Sequence, residues 1–309
     1  DLMIKFQTEQ KIYEIGNVRI GGQPGQLPLV LIGNVFYKGM PEITDHKEGR
    51  FDEEKVETWI QVAEELSKET GVPHIIDITA LYPKAMEKYV RFVVERTENP
   101  ISIDGANAET RITGLKIAEE LGIQEKVIFN GISPQIENSE IEKIRECQVK
   151  AAILIASNDY DFSPAGRVSA LKGTEYQPSL LEIAKKAGIE KMLIDTIVFD
   201  IPSIAYAAEA VKLVKEEFGF PAGCSPANAT FDWRKRRKES FKEGFAACNA
   251  TAHSLVQFWG ADFLLYGPIK QAKNMIPATA VNDSIIAYYA MKNYGIRPLV
   301  ESHPIYKIF

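Results

Sequence analysis

Eight short apolar runs of β-type residues recur along the 309 residues, and a helical segment follows nearly every one. They are LPLVLIGNVFY (27–37), HIIDIT (74–79), ISID (101–104), KVIFN (126–130), AAILIAS (151–157), KMLIDTIVF (191–199), PAGCS (221–225) and ADFLLYG (261–267). Their hydrophobicity is near-continuous instead of alternating, which marks strands covered on both faces, as in a parallel sheet wrapped by helices. The seventh run is the weakest. A doubly wound open sheet fits the same alternation, but regular repetition up to eight units favours closure into a (β/α)8 TIM barrel.

The intervening segments carry helix signals. Asp52 can cap a helix whose first turn holds Glu53 and Glu54; Val56, Trp59, Ile60, Ala63 and Leu66 then repeat on one face until Gly71 ends it. Comparable helices are predicted at 84–96, 108–121, 139–147, 179–187, 203–218, 238–258 and 282–293. Ahead of the first barrel strand, Met3–Phe6 and Lys11–Glu14 alternate around Gln7–Gln10 and read as a small hairpin, with residues 1–26 as the lead-in that plugs the barrel's bottom. Segment 158–178 is too long for a plain βα loop, and long loops on the catalytic face usually serve ligands.

Composition sets outer bounds. At 45% hydrophobic and 25% charged, with no low-complexity tract, the chain is expected to form one large domain over 1–309. No apolar run approaches the roughly 18 residues that span a bilayer, and Asp1–Gln10 has no signal-peptide pattern, so a cytoplasmic protein without membrane insertion is the expectation. A net charge of −6 argues against general nucleic-acid binding. Cys147, Cys224 and Cys248 form no CxxC pair, and His46, His74, His253 and His303 show no ligand spacing, so neither a disulfide framework nor a metal site is expected.

Active sites of such barrels are built at the strand C-termini. Asp104, Asn130 and Asp195 each close an apolar run as a lone polar residue, and the wider strand-end inventory adds Asn34, Asp77, Asn107, Asn158, Asp159, Asp200 and Asn228, with little Lys or Arg. A carboxylate accepts two parallel hydrogen bonds from a ring N–H and an adjacent amino group, and amides donate and accept at fixed spacing. This suits a flat, nitrogen-rich heterocycle. The competing reading of each residue is a helix cap or an Asx turn after the strand. For Asp77, inside its strand, a structural carboxylate and a functional one are equally open. Cys224 lies near a strand's functional end, where a small buried thiol is the commoner outcome. The run Trp233–Lys238 (WRKRRK) follows strand 7. Arg234 and Arg236 are its candidates for contact with an anionic tail or an acidic partner, against the ordinary reading of a solvated helix start.

Five segments carry a family resemblance: KIYEIGNVRIGGQPGQLPLVLIGNVFY, SIDGANAETRI, FNGIS, LLEIAKKAGIEKMLIDT and NATFDW (228–233). From about Lys11 to about Tyr294 the chain resembles the H subunit family of tetrahydromethanopterin S-methyltransferase. Within it the chain looks like bacterial stand-alone relatives similar to methylcorrinoid:tetrahydrofolate methyltransferases. More distantly it is similar to the pterin-binding barrels that include dihydropteroate synthase. The resemblance implies that Asp104, Asn130 and Asp195 hold the pterin ring, with Asn158 and Asn228 as further substrate contacts, and that Asn228 and Asp195 are the catalytic candidates, Asn228 at N5. The synthases would show Lys and Arg around strands 7 and 8, where this chain has Cys224, Ser225 and Asn228.

The implied reaction is an SN2 displacement: N5 of tetrahydrofolate takes a methyl group from a methyl-Co(III) corrinoid (methylcobalamin-type), leaving Co(I). No Asp-x-His-x-x-Gly motif is present, so the corrinoid is expected on a partner corrinoid protein docking at an open mouth. A homodimer is implied by the family. Tetrahydromethanopterin as the carrier, a non-catalytic pterin-binding or scaffold role in a larger methyltransferase assembly, and a carboxylate-pair hydrolase using Asp104 and Asp195 are the alternatives.

Overall fold

The apolar runs become eight parallel strands, and the sheet closes on itself in the order β6-β7-β8-β1-β2-β3-β4-β5. The strands are β1 (Val30–Val35), β2 (His74–Ala80), β3 (Ile101–Gly105), β4 (Val127–Ile132), β5 (Ala151–Ile155), β6 (Lys191–Asp195), β7 (Ala222–Cys224) and β8 (Phe263–Pro268). This computed structural model describes residues 5–236 and 240–309.

Helices α1 (Glu53–Thr70), α2 (Pro83–Val94), α3 (Ala108–Glu120), α4 (Asn138–Glu146), α5 (Pro164–Lys172), α6 (Leu180–Lys186), α7 (Ser203–Phe218), α8 (Pro226–Lys235), α9 (Ser240–Glu243), α10 (Phe245–Phe258) and α11 (Ala272–Tyr294) succeed the strands, and α12 (Pro304–Lys307) follows. α1 shows how local chemistry sets an element. Asp52 accepts from Lys55 N–H at one end, and at the other Gly71, at φ 80°, closes the last turn onto Ser67 O. Between caps, Val56, Ile60 and Ala63 are buried against the sheet.

Two cores result. The outer one lies between sheet and helices. The inner one fills the barrel with Val30, Ile32, Ile75, Ile128, Ile153, Leu193 and Phe263, and is joined there by Ile15, Val18 and Ile20 from the N-terminal hairpin. That hairpin pairs Ile12–Ile15 with Val18–Gly21, one unit later than the expected Met3–Phe6 with Lys11–Glu14. The turn falls at Gly16, at φ 54°, a conformation glycine adopts without cost, whereas Gln7–Gln10 offers no such residue. Met3 and Ile4 lie outside the described residues. Gly16 sits against Pro100 and Lys126, ahead of β3 and β4, so the hairpin caps the end of the barrel where the strands begin. Lys215 on α7 anchors this end: buried, it donates to Gly22 O (3.0 Å) and pairs with buried Asp262 at 2.7 Å.

Three helices depart from the sequence expectation. Segment 158–178 holds α5, capped by Ser163 with Pro164 in the first turn. After β7 the chain turns helical at once, from Pro226, so Trp233–Lys235 end α8 and do not begin a helix; Arg237 and Lys238 lie outside the described residues. The helix expected from 282 begins at Ala272 and runs through Pro277. A proline inside a helix costs one hydrogen bond, which burial of Ala272, Met275, Ile276, Thr279 and Ala280 along the same helix offsets.

Candidate functional site

Register sets the polar end of the barrel. Asp77 lies opposite Asn34 on β1 and Ser102 on β3, and Asp104 lies opposite Thr79 on β2 and Asn130 on β4. Successive side chains on a strand alternate between faces, so Asp77 and Thr79 share the inward face of β2, as Ser102 and Asp104 share that of β3. Here β4 bends: its register with β5 shifts between Asn130 and Ile132, and the Asn130–Gly131 peptide is cis.

Asp77 is the hub. Its Oδ1 accepts from Ser102 Oγ (2.6 Å) and Asn130 Nδ2 (3.2 Å), and its Oδ2 from Asn34 Nδ2 (2.7 Å). Asn34 Nδ2 also donates to Thr79 Oγ1 (2.5 Å), which donates onward to Asp104 Oδ2 at 3.4 Å. With both amide nitrogens turned to Asp77, the amide oxygens of Asn34 and Asn130 are the atoms left to the cavity. Burial raises the Asp77 carboxyl against the pull of its three donors. Asp104 is pushed up to about 7, first by burial and then by the charge of Asp77, with Arg111 and Thr79 opposing.

Across the barrel, burial raises Asp195 to about 6 against the Ile197 N–H, which donates to Oδ1 at 2.8 Å, and the charge of Arg167. Asn228 stands exposed in the first turn of α8; its Oδ1 accepts from Ser225 Oγ (3.2 Å), which leaves Nδ2 as a donor on the wall. Asn34, Asp77, Asp104, Asn130, Asp195 and Asn228 line one cavity of about 910 Å³ at the strand C-termini. Lys38, Arg234, Lys235 and Lys270 line it too. Arg234 rests over the Phe245 ring at 4.7 Å and Lys270 over Trp59 at 5.7 Å.

The structure withdraws some candidates. Asn158 is buried away from the cavity: its Nδ2 donates to Gly166 O (3.3 Å) and Ser169 Oγ (3.1 Å), and its Oδ1 accepts from the N–H of Tyr160 and Asp161. The amide closes an Asx-type turn and ties it to α5. Arg236 pairs with Asp232 one turn back at 2.7 Å and does not line the cavity. Asn107 caps α3, accepting from Thr110 N, and Asp200 accepts from Ser203 N in the turn that leads into α7. Cys224 is buried, its thiol held well above the usual range by burial. His74 is buried against Tyr266 OH at 2.8 Å, at the start of β2. Among the described residues no cluster of three His, Cys, Asp or Glu side chains is placed to hold a metal ion.

Sequence reasoning missed Thr79, Ser102 and Arg111. The first two carry a usable signal, two residues from Asp77 and Asp104 on the same strands. Arg111 lines the cavity while forking onto Glu140 (2.5 and 3.0 Å) and donating to Gly105 O.

The resulting surface is rich in acceptors: two amide oxygens and two carboxyls converge on an open cavity, with one free amide donor and a cationic rim. Such an arrangement can accept hydrogen bonds from several N–H donors of a planar ligand.

Comparison with known proteins agrees with this geometry. The family model described as the MtrH subunit of tetrahydromethanopterin S-methyltransferase matches residues 8–299. The corresponding component of that enzyme from Methanothermobacter thermautotrophicus is 36% identical, over 99% of this chain and 100% of the relative. Its Methanopyrus kandleri counterpart is 37% identical over 96% of each. Among solved structures, a Yersinia pestis dihydropteroate synthase bound to a sulfonamide drug superposes with a TM-score of 0.63 at 12% identity, covering 90% of this chain and 100% of that one. A Xanthomonas albilineans dihydropteroate synthase in complex with 6-chloroguanine superposes with a TM-score of 0.57 at 15% identity, over 92% and 99%. These likenesses show the shared barrel.

Proposed function

The chain belongs to the MtrH family of tetrahydromethanopterin S-methyltransferase components, and from that premise we propose that it binds a reduced pterin and transfers a methyl group between a corrinoid and pterin N5. The observation that carries the reading is the convergence of Asn34, Asn130, Asp104 and Asp195 on one cavity. The pterin's ring N–H and amino groups supply the donors that these acceptors lack within the protein.

We take tetrahydrofolate as the acceptor, as in the bacterial branch of the resemblance, with tetrahydromethanopterin as the alternative. Both share the ring that the floor reads. Arg234, with Lys38 and Lys270, lies where an anionic tail leaving the cavity would pass.

A methylcorrinoid carried by a partner protein supplies the methyl group at cobalt, for in-line displacement by N5. The barrel residues orient the acceptor. Asp104, Asn130 and Asp195 fix the ring plane, and the free Nδ2 of Asn228 directs the N5 lone pair, a contribution of positioning and not of covalent chemistry. A neutral amide is no base, so the N5 proton leaves to water through the open mouth.

Tyr160, Phe162, Tyr176 and Phe199, each more than half exposed, form a lip suited to a protein-borne cofactor. On the outer wall, exposed Val281, Ile285 and Tyr288 of α11 support a homodimer. The chain would work in the cytoplasm, beside its corrinoid partner. No helix among the described residues is long and apolar enough to cross a membrane.

Calorimetric titration with tetrahydrofolate and tetrahydromethanopterin, on the wild type and Asp195→Ala, tests the reading. Micromolar binding of one pterin, lost in the variant, supports it and names the carrier. Binding of neither removes it. Methyl transfer from free methylcobalamin by the isolated chain would exclude a purely scaffolding role.

A further inference from the structure

The turn after β6 is built around a buried cation. Arg167 on α5 is 2% exposed, and its guanidinium forms no salt bridge among the described residues. Its Nη1 donates to Thr196 O (3.0 Å) and Ile197 O (2.9 Å), and its Nε has no partner. A buried charge without an ion-pair partner is costly unless its surroundings compensate it. Two carbonyls alone are served as well by a neutral donor.

What the guanidinium faces is informative. The turn it holds is strained: Ile197 stands at φ 58°, a region that β-branched residues avoid. In that conformation the Ile197 N–H reaches back to Asp195 Oδ1 at 2.8 Å, while the Ile197 carbonyl turns to Arg167. One residue is thus gripped at both backbone groups, by the carboxylate on one side and the guanidinium on the other. α5 is in turn fixed by Asn158, whose amide donates to Gly166 O and Ser169 Oγ beside Arg167.

We propose that Arg167 is a positioning residue for the reaction: through the Thr196 and Ile197 carbonyls it holds the turn that ties Oδ1 of Asp195 to the Ile197 N–H and leaves Oδ2 to the ligand. This rests on the reading that Asp195 receives N–H donors of a pterin. The charge has a second effect. Burial raises Asp195 to about 6 and Arg167 opposes the rise, so the carboxylate is ionised at neutral pH and able to accept two hydrogen bonds. The other titratable groups toward it are the Cys224 thiol of β7, which burial keeps neutral, and, across the same cavity, Asp104 of β3, raised to about 7. Asp77, on β2, stands across the barrel.

The test is the pH dependence of tetrahydrofolate and tetrahydromethanopterin binding, from about pH 5 to about 8.5, for the wild type, Arg167→Gln, Arg167→Lys and Asp195→Asn, with thermal unfolding of each. Wild-type affinity should fall in two steps as pH drops, through about 7 as Asp104 takes up a proton and through about 6 as Asp195 does, the second being the acid limb of Asp195. In Arg167→Gln, binding at neutral pH should weaken at least about tenfold and the acid limb should move up by about one pH unit. Arg167→Lys keeps the charge but places its shorter side chain out of reach of the Thr196 and Ile197 carbonyls that Nη1 holds, so its affinity should drop with the limb unmoved. An unmoved limb in Arg167→Gln would reduce the residue to a scaffold part and overturn the inference. If Arg167→Gln does not fold, Arg167→Lys decides: wild-type affinity overturns the inference, and weaker binding at an unchanged melting temperature supports it. Failure of the pterin reading looks different, because the wild type then binds neither pterin or Asp195→Asn binds as tightly as the wild type.

Discussion

Asp77 and Asp104 stand out of register on neighbouring strands, Asp77 opposite Ser102 and Asp104 opposite Thr79. The offset gives two adjacent carboxyls different fates. Asp77 takes three donors, while Asp104 takes only the long bond from Thr79. The carboxyl poorer in donors is therefore the one free for a ligand, and burial, followed by the charge of the richer one, holds its proton on.

Binding should release protons near neutral pH. Asp104, raised to about 7, is partly protonated in the free site, and ligand N–H donors favour its ionised form. The binding enthalpy should be more exothermic in Tris than in phosphate, since Tris takes up the released proton exothermically. Identical enthalpies in both buffers would remove Asp104 from the contact.

Asp195→Asn should stabilise the ligand-free protein at about pH 7.5 by on the order of 2 kcal/mol. The folded-state carboxyl is raised to about 6, so the ionised form costs folding energy above that value. The gain should fade as pH falls from about 6 towards the unfolded value of about 4, where both states hold the proton. Urea melts at about pH 7.5 and about pH 4 check it, and equal differences at the two pH values contradict it.

Asn228→Ala should leave the melting temperature in place, because the side chain is exposed. It should slow methyl transfer by up to about 100–1000-fold, the range for losing one oriented donor. A change confined to KM would show that Asn228 serves binding alone.

Arg111→Met should cost about 3 kcal/mol, because it strands the buried Glu140 carboxylate. Arg111→Met combined with Glu140→Gln should recover most of that stability. Additive losses in the double-mutant cycle would show that the pair is not coupled.

The barrel is legible in the sequence because strands buried on both faces need continuous apolar runs, and eight such runs leave little else to build. Asp104, Asn130 and Asp195 are visible for the same reason, each interrupting hydrophobicity at a strand's end. The central role of Asp77 is not, since it depends on which residues face it across β1, β3 and β4, and register is a tertiary property. Asn158 misleads because an Asx turn and a ligand contact use the same residue type at the same place. The start of α11 is hidden by Pro277, whose local penalty is outweighed by packing that only the fold reveals.

The hairpin that fills the barrel's lower end has a kinetic corollary. With Ile15, Val18 and Ile20 packed among the inner strands, the cavity opens at the strand C-termini, so the two proposed reactants would share one mouth. In the proposed reaction the small heterocycle would have to enter before the bulky carrier seated itself over the opening, and the methylated product could depart only after the carrier lifted off. A compulsory-order sequence, first in and last out for the pterin, would thus follow for the proposed reaction from a short β-ribbon at the opposite pole of the barrel.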